Sequence, residues 1–196
     1  DIIVNITKWV INKVIQQMSV WKKEGYHIRV AINLSAKDFQ HPGLMSYIKG
    51  LLDCHEIEPK MLEIEITETS IMKNTEDARE ILKEFSKTGI QVCIDDFGAG
   101  YSSLAYLQKL PIDYIKLDRS LIKNIDRNHK DLKVAEVAIK LSHELGIRAV
   151  AEGIESGKTL ALLKELGCDM GQGFFICRPL NGKDVYGKLA GLALKD

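Results

Sequence analysis

Two adjacent aspartates, Asp95 and Asp96, end a short apolar run and lead directly into a glycine-rich loop, in the stretch QVCIDDFGAGYSSL. Taken alone, this stretch is also typical of a turn, since Asp and Gly are common turn residues. A pair of neighbouring carboxylates can instead supply oxygen ligands to two divalent cations about 4 Å apart, the arrangement that supports in-line displacement at phosphorus. The other polar residues of the sequence decide between these two interpretations.

A polar residue also falls at or near the end of each other apolar run of strand length. These residues are Asn33, Glu65, Lys116, Glu152 and Gln172. Each alone has an ordinary explanation, such as a solvated strand face for Glu65 or a surface position for Lys116. A polar residue at every strand end is hard to explain in that way. Carboxylates and an amide carbonyl, without sulfur or imidazole, form the all-oxygen ligand set that Mg2+ or Mn2+ prefers.

The elements that must position these residues alternate between two periodicities. Strand-like runs cover 28–34, 62–67, 90–95, 113–117, 147–152 and 171–176. Helical patterns cover 3–23, 74–88, 131–145, 157–166 and 183–194. Several helices stop at a glycine suited to a left-handed C-terminal cap: Gly25, Gly89, Gly146 and Gly167. Strands that alternate with helices in this way predict a parallel sheet.

Two architectures fit such a sheet. An open doubly wound sheet would spread its strand ends along an edge, whereas a (β/α)8 barrel gathers them at one end. We predict the barrel, because converging carboxylates and bound cations explain a polar residue at every strand end. A complete barrel has eight strands and typically about 250 residues. The chain has 196 residues, so the predicted fold is α/β, TIM-barrel-like, incomplete at the N-terminus and with about six strands.

Composition excludes several classes of function. Lys+Arg and Asp+Glu both number 27, so no net charge attracts a nucleic-acid polymer or an anionic membrane. No apolar run approaches the ~18 residues of a membrane span, so we expect no direct membrane insertion. The four cysteines contain no CxxC pair and favour reduced thiols in the cytoplasm. The five histidines form no HxxxH or Cys/His cluster, which argues against zinc.

Six motifs of the chain resemble those of the EAL-type cyclic-di-GMP phosphodiesterases, in the same order and spacing. They are INLSA, IEITETS, DDFGAGYSSL, IKLDRS, AEGIES and GQGFFICRPL. The resemblance covers essentially the whole chain and implies a single EAL domain over residues 1–196. It also implies a barrel that binds two Mg2+ or Mn2+ ions and hydrolyses one phosphodiester bond of cyclic-di-GMP, which gives linear pGpG.

The resemblance implies a ligand set for each metal ion. Asn33, Glu65 and Asp95 would hold the first ion. Asp95, Asp96 and Glu152 would serve the second, with Asp95 bridging the two. The pair of aspartates is therefore interpreted as a pair of metal ligands.

Three further roles follow from the resemblance. Lys116 would hydrogen-bond the attacking water or the phosphate, and among carboxylates it should stay protonated and act electrostatically. Glu152 is the candidate general base. Gln172 would help to orient the metal site and the substrate.

The remaining motif residues would support the site. The loop 96–103 resembles the flexible loop that the family places beside its metals and links to dimer contacts, and Glu68 resembles the anchor of that loop. Glu155 would support the site in a similar way. Arg178 and Pro179 resemble the region that touches a guanine of the substrate.

The sequence departs from the family pattern at its start. The Glu-Ala-Leu motif that names the family is absent, and its place would lie upstream of Asp1, together with the first two strands. Either the domain is N-terminally truncated, which the non-Met start favours, or the protein is a degenerate homologue; we expect the truncated domain. Ala99 and Cys177 are milder departures, since a threonine and a small hydroxyl residue are usual there. Such a truncation would expose strand edges and apolar helix faces. We therefore expect association with a partner, poor metal binding and little phosphodiesterase activity.

Two alternatives stay open beside the enzyme. One is a catalytically inactive cyclic-di-GMP receptor or regulatory protein-interaction domain, which the missing motif favours and the full metal set disfavours. The other is an unrelated metal-dependent barrel enzyme. The resemblance further implies a homodimer, with upstream sensory or diguanylate-cyclase modules in the parent chain. It places the domain in the cytoplasm, including the cytoplasmic part of a membrane-tethered signalling protein.

Overall fold

The computed structural model describes residues 2–39, 41–72, 75–99, 107–185 and 187–188 of the chain. They contain a six-stranded sheet. Its strands are β1 Val30–Asn33, β2 Leu62–Thr67, β3 Gln91–Phe97, β4 Tyr114–Leu117, β5 Arg148–Ala151 and β6 Met170–Gly171. The helices are α1 Ile2–Lys23, α2 Ala36–Phe39, α3 Leu44–Cys54, α4 Glu68–Met72, α5 Thr75–Thr88, α6 Arg119–Ile122, α7 His129–Glu144 and α8 Gly157–Glu165, with a short 3-10 turn at Pro59–Met61.

The order of the strands in the sheet equals their order in the chain, and every neighbouring pair is parallel. A doubly wound sheet reverses its strand order at a switch point, whereas a (β/α) barrel adds each strand beside the previous one. The predicted α/β class and the choice of a barrel over an open sheet agree with this order. All strands therefore present their carboxyl ends at the same edge.

The two faces of the sheet are covered in different ways. The outer face packs against the helices in one large apolar core, in which Ile64 and Ile94 of the strands and Ile11 and Leu82 of the helices are fully buried. At about 25 cal/mol per Å2 of apolar surface, each such side chain contributes roughly 1.5–3 kcal/mol. The inner face carries a small apolar cluster of Cys93, Tyr114 and Val150. The helices therefore stabilise the sheet, and the inner face is left for polar groups.

Helix α1 shows how the sequence pattern produces this packing. Its buried residues recur every three to four positions and are Val4, Thr7, Ile11, Ile15, Met18, Ser19 and Trp21. This spacing places them on one face of the helix, towards the sheet. Side chains cap later helices at their starts: Asp118 accepts from the Ser120 amide at 2.9 Å, and Asn128 accepts from the Lys130 amide at 2.9 Å.

Most of the predicted elements are present, with ends that shift by at most two residues. The four predicted cap glycines have φ between 73° and 88°, as a left-handed cap requires. Residues 44–54 form a helix that the sequence analysis missed, although Leu44, Ile48 and Leu52 are buried at helical spacing. The predicted helix 183–194 lies largely outside the described residues.

The predicted strand 171–176 is wrong in extent, because β6 ends at Gly171. The chain turns away after it, and a Cβ added at Gly173 would lie 2.2 Å from the backbone oxygen of Ile154. The turn directs two rings outward, so that Phe174 is 60% and Phe175 51% exposed. The apolar residues that follow Gly171 therefore form a surface turn instead of the predicted buried strand.

In the described part of the chain, no helix is both long enough and apolar enough to cross a membrane.

Candidate functional site

The carboxyl ends of the strands bring six polar side chains together at one edge of the inner face. In the register of β1 and β2, Asn33 lies opposite Glu65. Glu152 directly follows β5, whose neighbour β4 carries Lys116. We call this group the rim cluster, and its members are Asn33, Glu65, Asp95, Asp96, Lys116 and Glu152.

Lys116 occupies the centre of the rim cluster, and its side chain is only 7% exposed. Its Nζ lies 2.6 Å from Glu152 Oε1, 3.0 Å from Glu65 Oε1 and 3.3 Å from Asp95 Oδ1. The amide Nδ2 of Asn33 donates to Glu65 Oε2 at 3.1 Å, which keeps the Asn33 carbonyl oxygen available as a ligand. One ammonium therefore holds carboxylates from three different strand ends in place.

Asp95 and Asp96 both contribute to the rim cluster because the backbone is irregular there. In a regular strand consecutive side chains point to opposite faces. The pairing of β3 with β4 shifts register between Ile94 and Phe97, and Asp96 has a left-handed φ of 56°. Such a conformation costs a non-glycine residue about 1–3 kcal/mol and is often found at functional sites. As a result, ligand oxygens of Asp95, Asp96 and Glu152 lie within 4.8 Å of one another.

The electrostatics of the rim cluster show an excess of negative charge. Burial alone would lower the pKa of Lys116, but its hydrogen bonds to Glu152 and Glu65 outweigh this and raise that pKa, so the ammonium stays charged. Burial raises the pKa of Glu152, and its contact with Lys116 offsets only part of that rise. Burial and the neighbouring charge of Asp95 likewise raise the pKa of Asp96. Four carboxylates therefore face a single ammonium.

The donor atoms of the rim cluster fit divalent cations. They are carboxylate and amide oxygens, which hard cations prefer, and they include a three-carboxylate group within reach of one ion. Burial and the neighbouring carboxylates raise the pKa of Asp96 and Glu152, and bound cations would favour the ionised forms of both. The arrangement can therefore hold cations beside Lys116 and present them to an anionic ligand.

A pocket of about 280 Å3 opens beside the rim cluster. Its lining residues are Arg119, Glu152, Gly153, Glu155, Gln172, Gly173 and Phe174. Gln172 and Glu152 therefore line the same pocket, although Gln172 follows β6 instead of lying within the predicted strand. Neither Arg178 nor Pro179 is among the lining residues, but the Arg178 guanidinium lies 5.4 Å from the centre of the Phe174 ring.

The two predicted supporting glutamates each contact a neighbouring segment. Glu68 Oε2 accepts a hydrogen bond from the Gly98 amide at 3.4 Å, at the start of the predicted loop 96–103. Residues 100–103 of that loop lie outside the described residues. Glu155 Oε1 accepts from Arg119 Nη2 at 2.5 Å. A Cβ on Gly153 would lie 2.5 Å from Arg119 Cγ, so the glycine makes room for this arginine.

Sequence reasoning missed Arg119 and Phe174 as residues of this site. Arg119 comes two residues after β4, and the rule that polar residues gather at strand ends could have found it. Phe174 was assigned to a strand, and only the turn at Gly173 reveals its exposure. No local signal in the sequence distinguishes that turn from a short buried strand.

A second polar group occupies the inner face one layer below the rim cluster. We call it the floor cluster, and its members are Arg29, Glu63, Tyr114 and Arg148. Both arginines donate to Tyr114 Oη, Arg148 at 3.1 Å, and their guanidinium carbons lie 4.8 and 5.3 Å from the centre of the tyrosine ring. Arg29 Nε also lies 3.7 Å from Glu63 Oε2. Burial raises the pKa of Glu63, and Arg29 partly offsets that rise.

Comparison with known proteins identifies the family of the chain. The profile of the EAL domain matches residues 1–179. The chain belongs to the EAL domain family. It is 39% identical to the signaling protein YkoW of Bacillus subtilis over 91% of its length, and 35% identical to the bifunctional diguanylate cyclase/cyclic di-GMP phosphodiesterase MucR of Pseudomonas aeruginosa over 96%. This EAL domain chain spans only 22% and 28% of those two proteins.

Solved structures agree with the assignment to the EAL domain fold. The MucR phosphodiesterase in complex with c-di-GMP matches with a TM-score of 0.88 and 36% identity, over 94% of this chain and 75% of that one. The EAL domain of Mycobacterium smegmatis DcpA matches with a TM-score of 0.92 and 30% identity, over 97% of this chain and 86% of that one. A manganese/c-di-GMP complex of Klebsiella pneumoniae BlrP1 matches with a TM-score of 0.83 and 27% identity, over 91% of this chain and 45% of that one. These EAL structures confirm the predicted TIM-barrel-like fold.

Proposed function

We propose that this EAL domain is a metal-dependent phosphodiesterase that hydrolyses cyclic-di-GMP to linear pGpG. The observation that carries the proposal is the convergence of the Asp95, Asp96 and Glu152 oxygens within 4.8 Å of one another, beside a buried lysine. Structures of MucR and BlrP1 with c-di-GMP, and of BlrP1 with manganese, support the choice of substrate and ion.

The residues of the rim cluster divide between two proposed Mg2+ or Mn2+ sites. Asn33, Glu65 and Asp95 would hold one ion, while Asp95, Asp96 and Glu152 would hold the other. Divalent ions bound there supply Lewis-acid stabilisation of the negative charge that develops on the phosphate. The resemblance to the family gives Asp95 the shared role, and its contacts support this: it lies close to Asp96 and Glu152 and contacts the same ammonium as Glu65.

Lys116 and Glu152 perform complementary tasks in the proposed reaction. Lys116 stays protonated, so its ammonium donates hydrogen bonds and can position the attacking water or a phosphate oxygen. Glu152 has a pKa raised by burial, which makes its carboxylate a better proton acceptor near neutral pH. Since the two side chains lie 2.6 Å apart, the water that Lys116 orients is within reach of Glu152.

The pocket beside the rim cluster is proposed to receive a guanine of the substrate. Phe174 exposes 60% of its surface, and the Arg178 guanidinium lies over its ring. Bases stack on aromatic rings and on guanidinium planes, and each such stack contributes about 1–3 kcal/mol. Gln172 and Arg119 line the same pocket and can donate hydrogen bonds to the base or the phosphate.

Further properties of the protein are proposed on the family assignment alone. We propose that residues 1–196 form a single domain, although the profile match ends at residue 179. A homodimer, a cytoplasmic location and upstream signalling modules remain proposals. The much greater length of YkoW and MucR supports the last of these.

The test is hydrolysis of cyclic-di-GMP in the presence of Mn2+, followed by chromatography of pGpG. We expect slow turnover, since the Glu-Ala-Leu motif is not among the 196 residues. The substitution Glu152→Gln should abolish that turnover while leaving binding largely intact. Glu165→Gln is the matched control, because Glu165 is an exposed glutamate at the end of α8.

The receptor alternative predicts a different result in the same experiment. Cyclic-di-GMP would bind saturably to the wild-type chain, and no pGpG would form at any Mn2+ concentration. Turnover that Glu152→Gln leaves unchanged would contradict the proposed role of Glu152. Absence of both binding and turnover would contradict the proposed substrate.

A further inference from the structure

A short segment after β5, residues 152–155, begins with Glu152, the proposed general base. The Glu152 amide donates to the Leu117 carbonyl at 3.2 Å, and the chain leaves the sheet at this point because β5 ends at Ala151. Beyond that bond, the contacts of the following residues determine the direction in which the segment leaves the sheet. The orientation of the Glu152 carboxylate therefore depends on how residues 153–155 are held.

Arg119 crosses this segment from the neighbouring strand end. It is the first residue of α6, and it lines the pocket beside the rim cluster. A Cβ on Gly153 would lie 2.5 Å from Arg119 Cγ and 2.9 Å from Arg119 Cδ, so the aliphatic stem of the arginine packs directly on the Gly153 backbone. Its Nη2 donates to Glu155 Oε1 at 2.5 Å. Arg119 therefore contacts the segment at two points, one and three residues after Glu152.

The backbone conformation at Gly153 allows this close contact. Gly153 has a left-handed φ of 68°, which glycine adopts without the strain that other residues incur. A side chain at position 153 would both strain that backbone and displace the stem of Arg119. The segment and the arginine therefore fit each other only with glycine at this position.

The turn after β6 holds the same segment on its other side. The Ile154 amide donates to the Gln172 carbonyl at 3.1 Å, and the Phe175 amide donates to the Ile154 carbonyl at 3.0 Å. The Ile154 residue itself is fully buried. The turn after β6 therefore fixes the segment at its middle residue, while Arg119 fixes it from the side of α6.

Stability alone does not explain the contact between Arg119 and Glu155. Both side chains are more than half exposed, and ion pairs exposed to this degree contribute little to the free energy of unfolding. A contact of this kind still restricts direction, and it joins segments that are 36 positions apart in the chain. Because misplacing a reacting group by about 1 Å can slow a reaction about a hundredfold, the effect of Arg119 is expected on the chemical step.

We propose that Arg119 is a positioning residue for Glu152. This inference rests on the proposed function, in which Glu152 accepts the proton of the attacking water. By holding Gly153 and Glu155, Arg119 keeps the Glu152 carboxylate directed towards the water beside Lys116. Arg119 acts through the segment 152–155, whereas direct contact with the substrate is the competing role that the experiments distinguish.

Hydrolysis of cyclic-di-GMP with Mn2+ tests the proposal through the separation of kcat from KM. Arg119→Met keeps an aliphatic stem but removes the hydrogen bond to Glu155, so kcat should fall about tenfold while KM changes less than about twofold. Arg119→Lys keeps a charged donor and should recover part of the lost kcat. Arg127→Met is the matched control, because Arg127 is exposed and its ion pair is with the adjacent Asp126. The control should change neither constant.

Binding measured without turnover separates positioning from substrate contact. In the Glu152→Gln background, Arg119→Met should leave the affinity for cyclic-di-GMP in calorimetry unchanged. An affinity about tenfold weaker would show that Arg119 contacts the substrate directly, which would overturn the proposal. In a Glu155→Ala background, Arg119→Met should lower kcat less than it does in the wild-type chain, because its partner is already absent. Fully additive effects of these two substitutions on kcat would also contradict the proposal.

The proposed function and the proposed role of Arg119 fail in different ways. Absence of pGpG from the wild-type chain would contradict the proposed function and the role of Arg119 with it. Wild-type turnover that Arg119→Met leaves unchanged would overturn the role of Arg119 alone. If Arg119→Met does not fold, Glu155→Ala decides, because it removes the same hydrogen bond and should lower kcat with KM nearly unchanged. An unchanged kcat in Glu155→Ala would then refute the proposal.

Discussion

The rim cluster and the floor cluster occupy the same face of the same sheet, yet their charges are balanced differently. Glu63 and Tyr114 of the floor precede Glu65 and Lys116 of the rim by two residues, which is a distance of about 7 Å along each strand. The rim sets four carboxylates against one ammonium. The floor sets one carboxylate against two guanidinium groups and a phenol.

This difference separates a structural polar group from a site that needs a ligand. In the floor cluster the charged and polar groups contact one another, and the guanidinium groups also cover the Tyr114 ring. In the rim cluster four carboxylates share the one ammonium of Lys116, which leaves an excess of negative charge. We therefore expect added cations to stabilise the rim cluster and to leave the floor cluster unchanged.

The largest expected effect comes from removing the central charge of the rim. Lys116→Met leaves Glu65, Asp95 and Glu152 without their shared partner, and loss of one partner from a buried ionic group typically costs about 3–5 kcal/mol. Urea unfolding in the presence of EDTA should show this loss of stability. The same measurement with Mn2+ should recover part of it.

Lys164→Met is the control for that substitution, since Lys164 is exposed on α8 and its loss should change stability little. An equal effect of the two substitutions would show that Lys116 does not hold the rim cluster together. A loss of stability that Mn2+ leaves unchanged would show that cations do not relieve the charge there.

A smaller effect is expected from the floor. Tyr114→Phe removes the oxygen to which Arg29 and Arg148 both donate, and we expect a loss of about 1–2 kcal/mol, because both arginines remain partly hydrated. The affinity for Mn2+, measured by calorimetry, should stay unchanged. A change of affinity similar to that produced by substitution of Asp95 would mean that the two clusters are not independent.

The smallest effect is a difference in the pH dependence of stability. Burial raises the pKa of Glu63 above its ordinary 4.5, so the folded state binds more protons than the unfolded state above that pH. Stability should therefore fall as the pH rises from about 4.5 through the raised pKa, and the loss is complete above it. Glu63→Gln should remove this component.

Mn2+ distinguishes the two clusters in the same pH series. Mn2+ should reduce the part of the pH-dependent loss of stability that comes from Glu152 and Asp96, since bound cations favour their ionised forms. The part of the loss that comes from Glu63, which Glu63→Gln removes, should persist with Mn2+. If Mn2+ removes both components, the floor also responds to the cation.

Much of the rim could be predicted because strand alternation and parallel order determine it. Asn33, Glu65, Lys116 and Glu152 each stand at or beside the end of an apolar run, and parallel strands bring such ends together. The floor could not be predicted in the same way. Arg29 directly precedes β1 and Arg148 begins β5, and their contact with Tyr114 depends on register and on side-chain direction.

Other features depend on packing that a local pattern does not encode. The turn at Gly173 depends on its close approach to Ile154, and it converts an apolar run into an exposed surface. The hydrogen bond from Arg119 to Glu155 joins residues that are 36 positions apart in the chain. Both features belong to tertiary structure, so the sequence analysis assigned neither.

The left-handed backbone at Asp96 reverses the usual ranking of conservative replacements. Asn and Gly tolerate a φ of 56° and would preserve the local chain path, although both discard the carboxylate. Glu would keep the carboxylate but would strain the main chain and extend the side chain by one methylene. At this position a library selected for foldability alone should therefore enrich Asn and Gly over Glu, whereas selection for ion binding should return Asp.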